Sequence, residues 1–488
     1  MYRIKSCLTV MSVMLSATCL FSEETAPLRD NYAIKVYCDS PAGEINHLLL
    51  GVAPGGNALS FTKPDVVKAI SGIGLKMARL EGVTGDPLGC PALYDPATGK
   101  YNWIRLDTEI EAMQANGIEI IANLEYCPRF LGDTSKGWWG HPPVDNVKWA
   151  KYVYDIVYHV NIEKKYGVKY WEFWNEASGG LIPQIGYRKF FDWYAVTAKA
   201  VKDADPNALV TGLGGDSAKF PEHYREFFKY AKANNVPVDF ITYHWYADWE
   251  LRGQLRPELY FQYSNALSDL YNGFFGKRCP IFITEWNYNS EAIGKTSPAS
   301  QTAFIAAALY WMQQSRLTGA CFFRIEYYRG FAGNFIDRQL LNKDLKMMGP
   351  ARVFKMFSML PKQRIDARWD SSDLTVLAAR ENDIIATMVS RNGGAGDIIG
   401  LDYSSNPVKY VESRVGERGR PATLKAELLG LEDGQYEVTI YLEDAGSAGS
   451  GELKPFKTLT VKSSKHYASI DLEMKGDSVA LIAIRKGK

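Results

Sequence analysis

The sequence predicts an α/β fold, a (β/α)8 TIM barrel followed by an all-β sandwich. Three observations carry this. Eight short apolar runs alternate with helical patterns between residues 47 and 360. From 361 to 488, short strand-like runs are separated by Gly, Asn, Asp and Ser, with no long helical pattern. The 488 residues, 46% hydrophobic and 23% charged, have ordinary globular composition and suffice for two or three domains.

In order along the chain, residues 1–22 read as a secretory signal peptide. Arg3 and Lys5 precede an apolar run at 7–21, too short to span a bilayer, and Ser22-Glu23-Glu24 ends it. Lipid attachment at Cys19 is the alternative, although Ser16 stands where a large aliphatic residue is usual. Residues 23–46 form an N-terminal segment whose alternation at 32–38 suits a strand added to the sandwich. The barrel strands are expected at 48–53, 75–80, 118–124, 169–174, 208–213, 240–246, 281–286 and 320–325. Several are apolar throughout, as strands buried on both faces must be. Helices are expected at 64–72, 107–116 with Asp107 as N-cap, 147–166, 187–204, 221–234, 257–271 and 297–317. A doubly wound sheet is disfavoured, because residues 52–56 lack a dinucleotide fingerprint. Sandwich strands are expected at 374–379, 384–389, 397–403, 423–429, 436–442, 457–462, 468–473 and 479–485.

Composition also excludes. Lys+Arg of 56 against Asp+Glu of 55 leaves no nucleic-acid footprint. No other run is long and apolar enough to span a membrane. After export five cysteines remain, an odd number and no disulfide framework, with pairing of Cys90 and Cys127 left open. No Cys/His spacing suits zinc, and Gly55-Gly56 and Gly214-Gly215 lack phosphate-loop spacing, so no metal or cofactor is implied. Twelve Trp and 29 Tyr suit a protein that stacks sugars.

A barrel of this kind carries its chemistry at the C-terminal ends of its strands. Glu176 and Glu285 stand there on the fourth and seventh strands. Two carboxylates across one pocket are what glycoside hydrolysis requires: one protonates the leaving oxygen, the other attacks or stabilises the anomeric carbon. Arg79, Glu81, Glu125, Asp216, His244, Tyr246, Arg324 and Glu326 end other strands. Trp139 in the loop after the third strand and Trp286 beside Glu285 are candidate sugar platforms.

Trp174-Asn175-Glu176 and Ile283-Thr284-Glu285-Trp286-Asn287 resemble the strand-4 and strand-7 motifs of clan A glycoside hydrolases. Within the clan, the segment from Asp239 to Tyr246, with its His-x-Tyr, resembles glycoside hydrolase family 39, which groups β-xylosidases and α-L-iduronidases. Arg79 matches the clan's strand-2 Arg, and the resemblance runs from about residue 34 to 360. It implies a retaining glycosidase acting on a polysaccharide or its oligosaccharides, exo-acting; an endo-acting glycanase or a non-catalytic carbohydrate-binding barrel are the alternatives. In it Glu176 is the acid/base, with a pKa raised toward neutrality, and Glu285 the ionised nucleophile. Arg79, with His244 or Tyr246, holds Glu285, and Asn175 bonds the sugar 2-hydroxyl. Arg324 replaces the Trp that many relatives carry on strand 8. If it lines the pocket, it offers a fork for an acidic or sulfated sugar; otherwise it tunes the carboxylates.

Overall fold

The computed structural model describes residues 31–55, 59–85, 90–137, 140–218, 220–247, 257–288, 298–326, 339–369, 371, 373–392, 421–447, 449 and 451–487. Strand β1 (Asn31–Glu44) comes first. The barrel strands are β2 (Gly51–Ala53), β3 (Met77–Leu80), β6 (Glu119–Leu124), β7 (Tyr170–Phe173), β8 (Leu209–Thr211), β9 (Ile241–Tyr246), β10 (Ile281–Asn287) and β11 (Gly319–Phe323). A small hairpin, β4 (Tyr94–Asp95) and β5 (Lys100–Tyr101), lies between β3 and β6. The eight pair in parallel in the order β8-β7-β6-β3-β2-β11-β10-β9. Backbone bonds close the ring: Asp239 N–H to Val210 O, and His244 N–H to Gly215 O, both at 2.9 Å.

The helices are α1 (Pro64–Ser71), α2 (Ile104–Ala115), α3 (Asn146–Tyr158), α4 (Leu181–Ile185), α5 (Tyr187–Ala204), α6 (Pro221–Asn234), α7 (Leu259–Phe275), α8 (Pro298–Gln314) and α9 (Gly349–Ser358). Asp107 is not the N-cap expected of it. α2 begins a turn earlier at Ile104, with Trp103 as its N-cap, and Asp107 instead meets His159 and Lys164, both at 2.9 Å. α9 was not among the expected helices.

Side chains alternate along each strand, so the barrel interior fills in layers. The lowest contains Met77, Ile121, Tyr170, Phe240, Phe282 and Cys321, all buried. Tyr170, Phe240 and Phe282 meet one another with centroids 4.8–5.8 Å apart and plug the barrel. Two residues further along each strand the interior turns polar: Arg79, Asn123, Glu172, Thr242 and Thr284. Two more bring Glu81, Glu125 and His244 to the mouth, and Tyr246 stands two beyond His244. The switch from an apolar to a charged layer marks the working end.

The C-terminal region is all-β. β12 (Gln363–Trp369), β13 (Leu374–Glu381), β14 (Ile384–Arg391), β15 (Pro421–Leu429), β16 (Gly434–Glu443), β17 (Lys457–Ser463), β18 (Tyr467–Lys475) and β19 (Ser478–Lys486) join β1 in one nine-stranded sheet. Its order is β17-β16-β19-β14-β13-β12-β1-β15-β18. The sheet folds on itself, so Val36, Leu424 and Ile470 on one side share a core with Val438, Ile440 and Ile482 on the other. The strand expected at 397–403 lies outside the described residues, as do residues 1–30. β13, β14 and β19 bury their second face on the barrel, where Leu377, Met388 and Leu481 continue its core. This sandwiching explains why α8 is apolar nearly all round. Arg352 of α9 locks the junction by a buried two-pronged pair with Glu443, at 2.6 and 2.8 Å. Cys90 and Cys127 are separate buried thiols. Among the described residues no helix is long and apolar enough to cross a membrane.

Candidate active site

Arg79, fully buried, is the hub of the mouth. Its Nε donates to Glu172 at 2.7 Å, its Nη1 to Glu285 at 2.7 Å, and its Nη2 to Asn175 Oδ1 at 2.9 Å. Glu81 lies 3.4 Å from Nη1. Burial alone would favour a neutral guanidine, but the surrounding carboxylates, Glu172 first, hold Arg79 firmly charged. Glu172 also accepts from Asn123 at 2.7 Å and Thr284 at 2.9 Å. Burial pushes its pKa up most, but the charges of Arg79 and His244 and the hydrogen bonds from Thr242 and Arg79 together outweigh it, and it stays below the usual carboxylate range.

Thr284 and Glu285 are adjacent, yet both reach the barrel interior. The β9–β10 register slips between Ile283 and Glu285, and this bulge re-aims Glu285 into the mouth. Arg79 holds its Oε1, and the Tyr246 hydroxyl donates to its Oε2 at 2.5 Å.

Glu176 follows β7 in a left-handed conformation, φ +46°, two residues after Trp174 at φ +72°. Its side chain is about half exposed, at 52%. His244 Nδ1 lies 2.9 Å from Glu176 Oε1 and 3.7 Å from Glu285 Oε2. One oxygen of each glutamate and a ring nitrogen of His244 all fall within 4.8 Å of one another. Such a set has the makings of a metal centre, but its atoms are already engaged with each other, Arg79 and Tyr246. A Cβ on Gly215 would sit 2.1 Å from His244 Nε2, and one on Gly214 2.2 Å from the Trp174 carbonyl. Both glycines have positive φ, and both are needed for this approach.

The pKa of Glu176 moves opposite to expectation. Burial raises it, but the hydrogen bond and charge of His244 and the charge of Arg79 together outweigh that, so it lies below the usual range. Burial lowers His244, whereas Glu285 and Glu176 raise it above an ordinary imidazole. Glu125 and Glu81 are pushed upward, first by burial, with Arg79 pulling back and neighbouring carboxylates pushing further.

The mouth thus gathers Glu176, Glu285, Arg79, Asn175, His244, Tyr246 and Glu125. Asn175 donates its Nδ2 to the Tyr126 hydroxyl at 3.1 Å. One expected contact fails. Trp286 is buried and points outward from the bulged strand, against Phe322, Tyr260 and Phe354. Arg324, just past β11, is as buried as Glu125 and His244. Glu326 pairs with Lys63 at 2.8 Å and Ser60 at 2.9 Å. Trp139 lies outside the described residues. Glu172, one of the polar residues ending the fourth strand, was given no role from sequence, and Tyr126 was not singled out. The interior alternation, Tyr170 then Glu172, was the available signal for the first.

The sequence profile described as Glycosyl hydrolases family 39 matches residues 57–392. A beta-xylosidase from Geobacillus stearothermophilus is 26% identical, over 53% of this chain and 55% of that protein. One from Caldicellulosiruptor saccharolyticus is 23% identical, over 44% and 46%. The chain thus spans about half the length of these curated relatives. Among solved structures, a monomeric beta-xylosidase from Caulobacter crescentus superposes with a TM-score of 0.74 at 18% identity, covering 93% of this chain and 100% of that one. A glucosidase from Croceicoccus marinus gives 0.72 at 20%, covering 94% and 100%. At these identities the likeness is one of fold. With more than half of its length matched by the family profile, this chain belongs to the glycosyl hydrolases family 39.

Proposed function

We propose that the chain is a retaining, exo-acting glycosidase of the β-xylosidase kind, exported under the signal at 1–22 and acting on oligosaccharides released from a polysaccharide. The observation that carries this is the Glu176–Glu285 pair, with carboxylate oxygens within 4.8 Å. A nucleophile and an acid of a retaining enzyme stand roughly 5–5.5 Å apart, whereas an inverting pair needs room for a water. The names of the curated relatives support the xylose preference.

In the first step Glu285 attacks the anomeric carbon. Arg79 and Tyr246 each hold one of its oxygens, so its attacking geometry is preset. The C1–O bond breaks as the Glu176 proton passes to the leaving oxygen, giving a glycosyl ester on Glu285 and a free hydroxyl on the aglycone. In the second step Glu176 takes a proton from water as the water oxygen attacks C1 and expels Glu285. Glu176 must be protonated for the first step and ionised for the second. His244, 2.9 Å away, is the group that exchanges the proton with it. Asn175 spends Oδ1 on Arg79 and one Nδ2 hydrogen on Tyr126, leaving its other hydrogen for the sugar 2-hydroxyl.

Proton NMR of an aryl β-xyloside digest tests the reading. The first-formed xylose is expected to be the β-anomer. First-formed α-anomer refutes retention, and no cleavage across a panel of aryl glycosides refutes the enzyme.

A further inference from the structure

Glu176 occupies the N-cap position of the short turn Ala177–Gly179 but makes no capping bond with its side chain. An N-cap side chain ordinarily accepts a hydrogen bond from the second or third amide of the turn. Here that amide, Ser178 N–H, donates to Asp216 Oδ1 at 2.9 Å. Asp216 follows β8 and is 1% exposed. Its other oxygen faces His223 Nδ1 at 3.5 Å, and its carbonyl accepts from the Tyr224 hydroxyl. Two residues earlier, Glu176 N–H donates to Gly214 O at 2.7 Å. The segment needs such support, because Trp174 and Glu176 both hold positive φ, a region that L-residues disfavour.

We propose that Asp216 is a positioning residue for the acid/base carboxylate: it caps the Glu176 turn from the neighbouring strand, so that Glu176 keeps its own carboxylate in the cleft against His244. The proposal rests on Glu176 being the acid/base. Without Asp216 the Ser178 amide is left open. Glu176, at the N-cap position, can then turn its own carboxylate to it, and in capping it leaves the leaving-group oxygen unprotonated.

The defect is therefore specific to acid catalysis. 2,4-Dinitrophenyl β-xyloside leaves without a proton, whereas xylobiose requires one. Asp216→Ala is expected to lose at least 30-fold in kcat/KM on xylobiose and less than threefold in the glycosylation step of the dinitrophenyl substrate. Asp216→Asn keeps the Oδ1 acceptor and is expected within threefold of wild type on both. Should Asp216→Ala fail to fold, Asp216→Ser, whose hydroxyl is too short to reach Ser178, is expected to show the same split. An equal loss on both substrates, or no loss on either, overturns the proposal. Glu176→Ala is the reference: if it shows no split, the acid/base reading has failed instead.

Discussion

Gly215→Ala tests how closely the site is built. A methyl group at 215 would lie 2.1 Å from Nε2 and 2.2 Å from Cδ2 of His244. Ordinary contact begins at 3.4 Å, so the ring must retreat by roughly 1.3 Å. His244 is 1% exposed. The retreat breaks its 2.9 Å bond to Glu176. A misplacement of about 1 Å at a reacting group costs on the order of 100-fold in rate. That is ~2.7 kcal/mol of barrier. The backbone at φ +78° adds ~1 kcal/mol of strain, and overpacking adds ~1–3 kcal/mol. The expected result is kcat/KM on an aryl β-xyloside about 100-fold down, with denaturant unfolding lowered by ~2–4 kcal/mol. Gly117→Ala is the control: its φ is +64° and nothing lies within 4 Å of its Cβ. It pays the strain without the clash, and full activity is expected. Activity of Gly215→Ala within threefold of wild type would refute the reasoning.

Trp286→Phe is expected to leave KM unchanged within twofold while costing ~2 kcal/mol of stability, since the ring packs outward; a tenfold rise in KM would return Trp286 to the cleft. Glu109 is buried beside Arg105, and burial, opposed by Arg105, raises its pKa to about 7. Between the unfolded value near 4.5 and 7 the folded state binds one more proton, so stability falls as pH rises, by about 3 kcal/mol in all. Glu109→Gln is expected to remove this decline, as read from urea unfolding at pH 4.5 and pH 8; an unchanged slope contradicts the assignment.

Much of the barrel was legible because its strands are buried on both faces and read as continuous apolar runs, 281–286 and 320–325 among them. The charged strand ends were legible for the same reason: a Glu directly after such a run has nowhere to go but the mouth. Trp286 was misread because a regular strand alternates, and the bulge at Thr284 is invisible in a local pattern. Strand β12, Gln-Arg-Ile-Asp-Ala-Arg-Trp, was missed because its side chains are mostly polar and only partly buried, so it reads as a loop. The pKa of Glu176 was misjudged because it depends on a hydrogen bond to a residue 68 positions away. Asp216 shows the same limit. Its type and its place at a strand end were readable, but a cap delivered across strands is not a feature of either segment alone.

The central claim is that Glu285 forms a covalent bond with the sugar. A 2-deoxy-2-fluoro xyloside with a dinitrophenyl leaving group slows the second step and accumulates the ester. Peptic digestion and mass spectrometry then locate the label. The account predicts one fluoroxylosyl group, on the peptide containing Glu285, absent from the Glu285→Gln variant. A label on Glu176 or on another carboxylate, with Glu285 unmodified while the enzyme is inactivated, would contradict it.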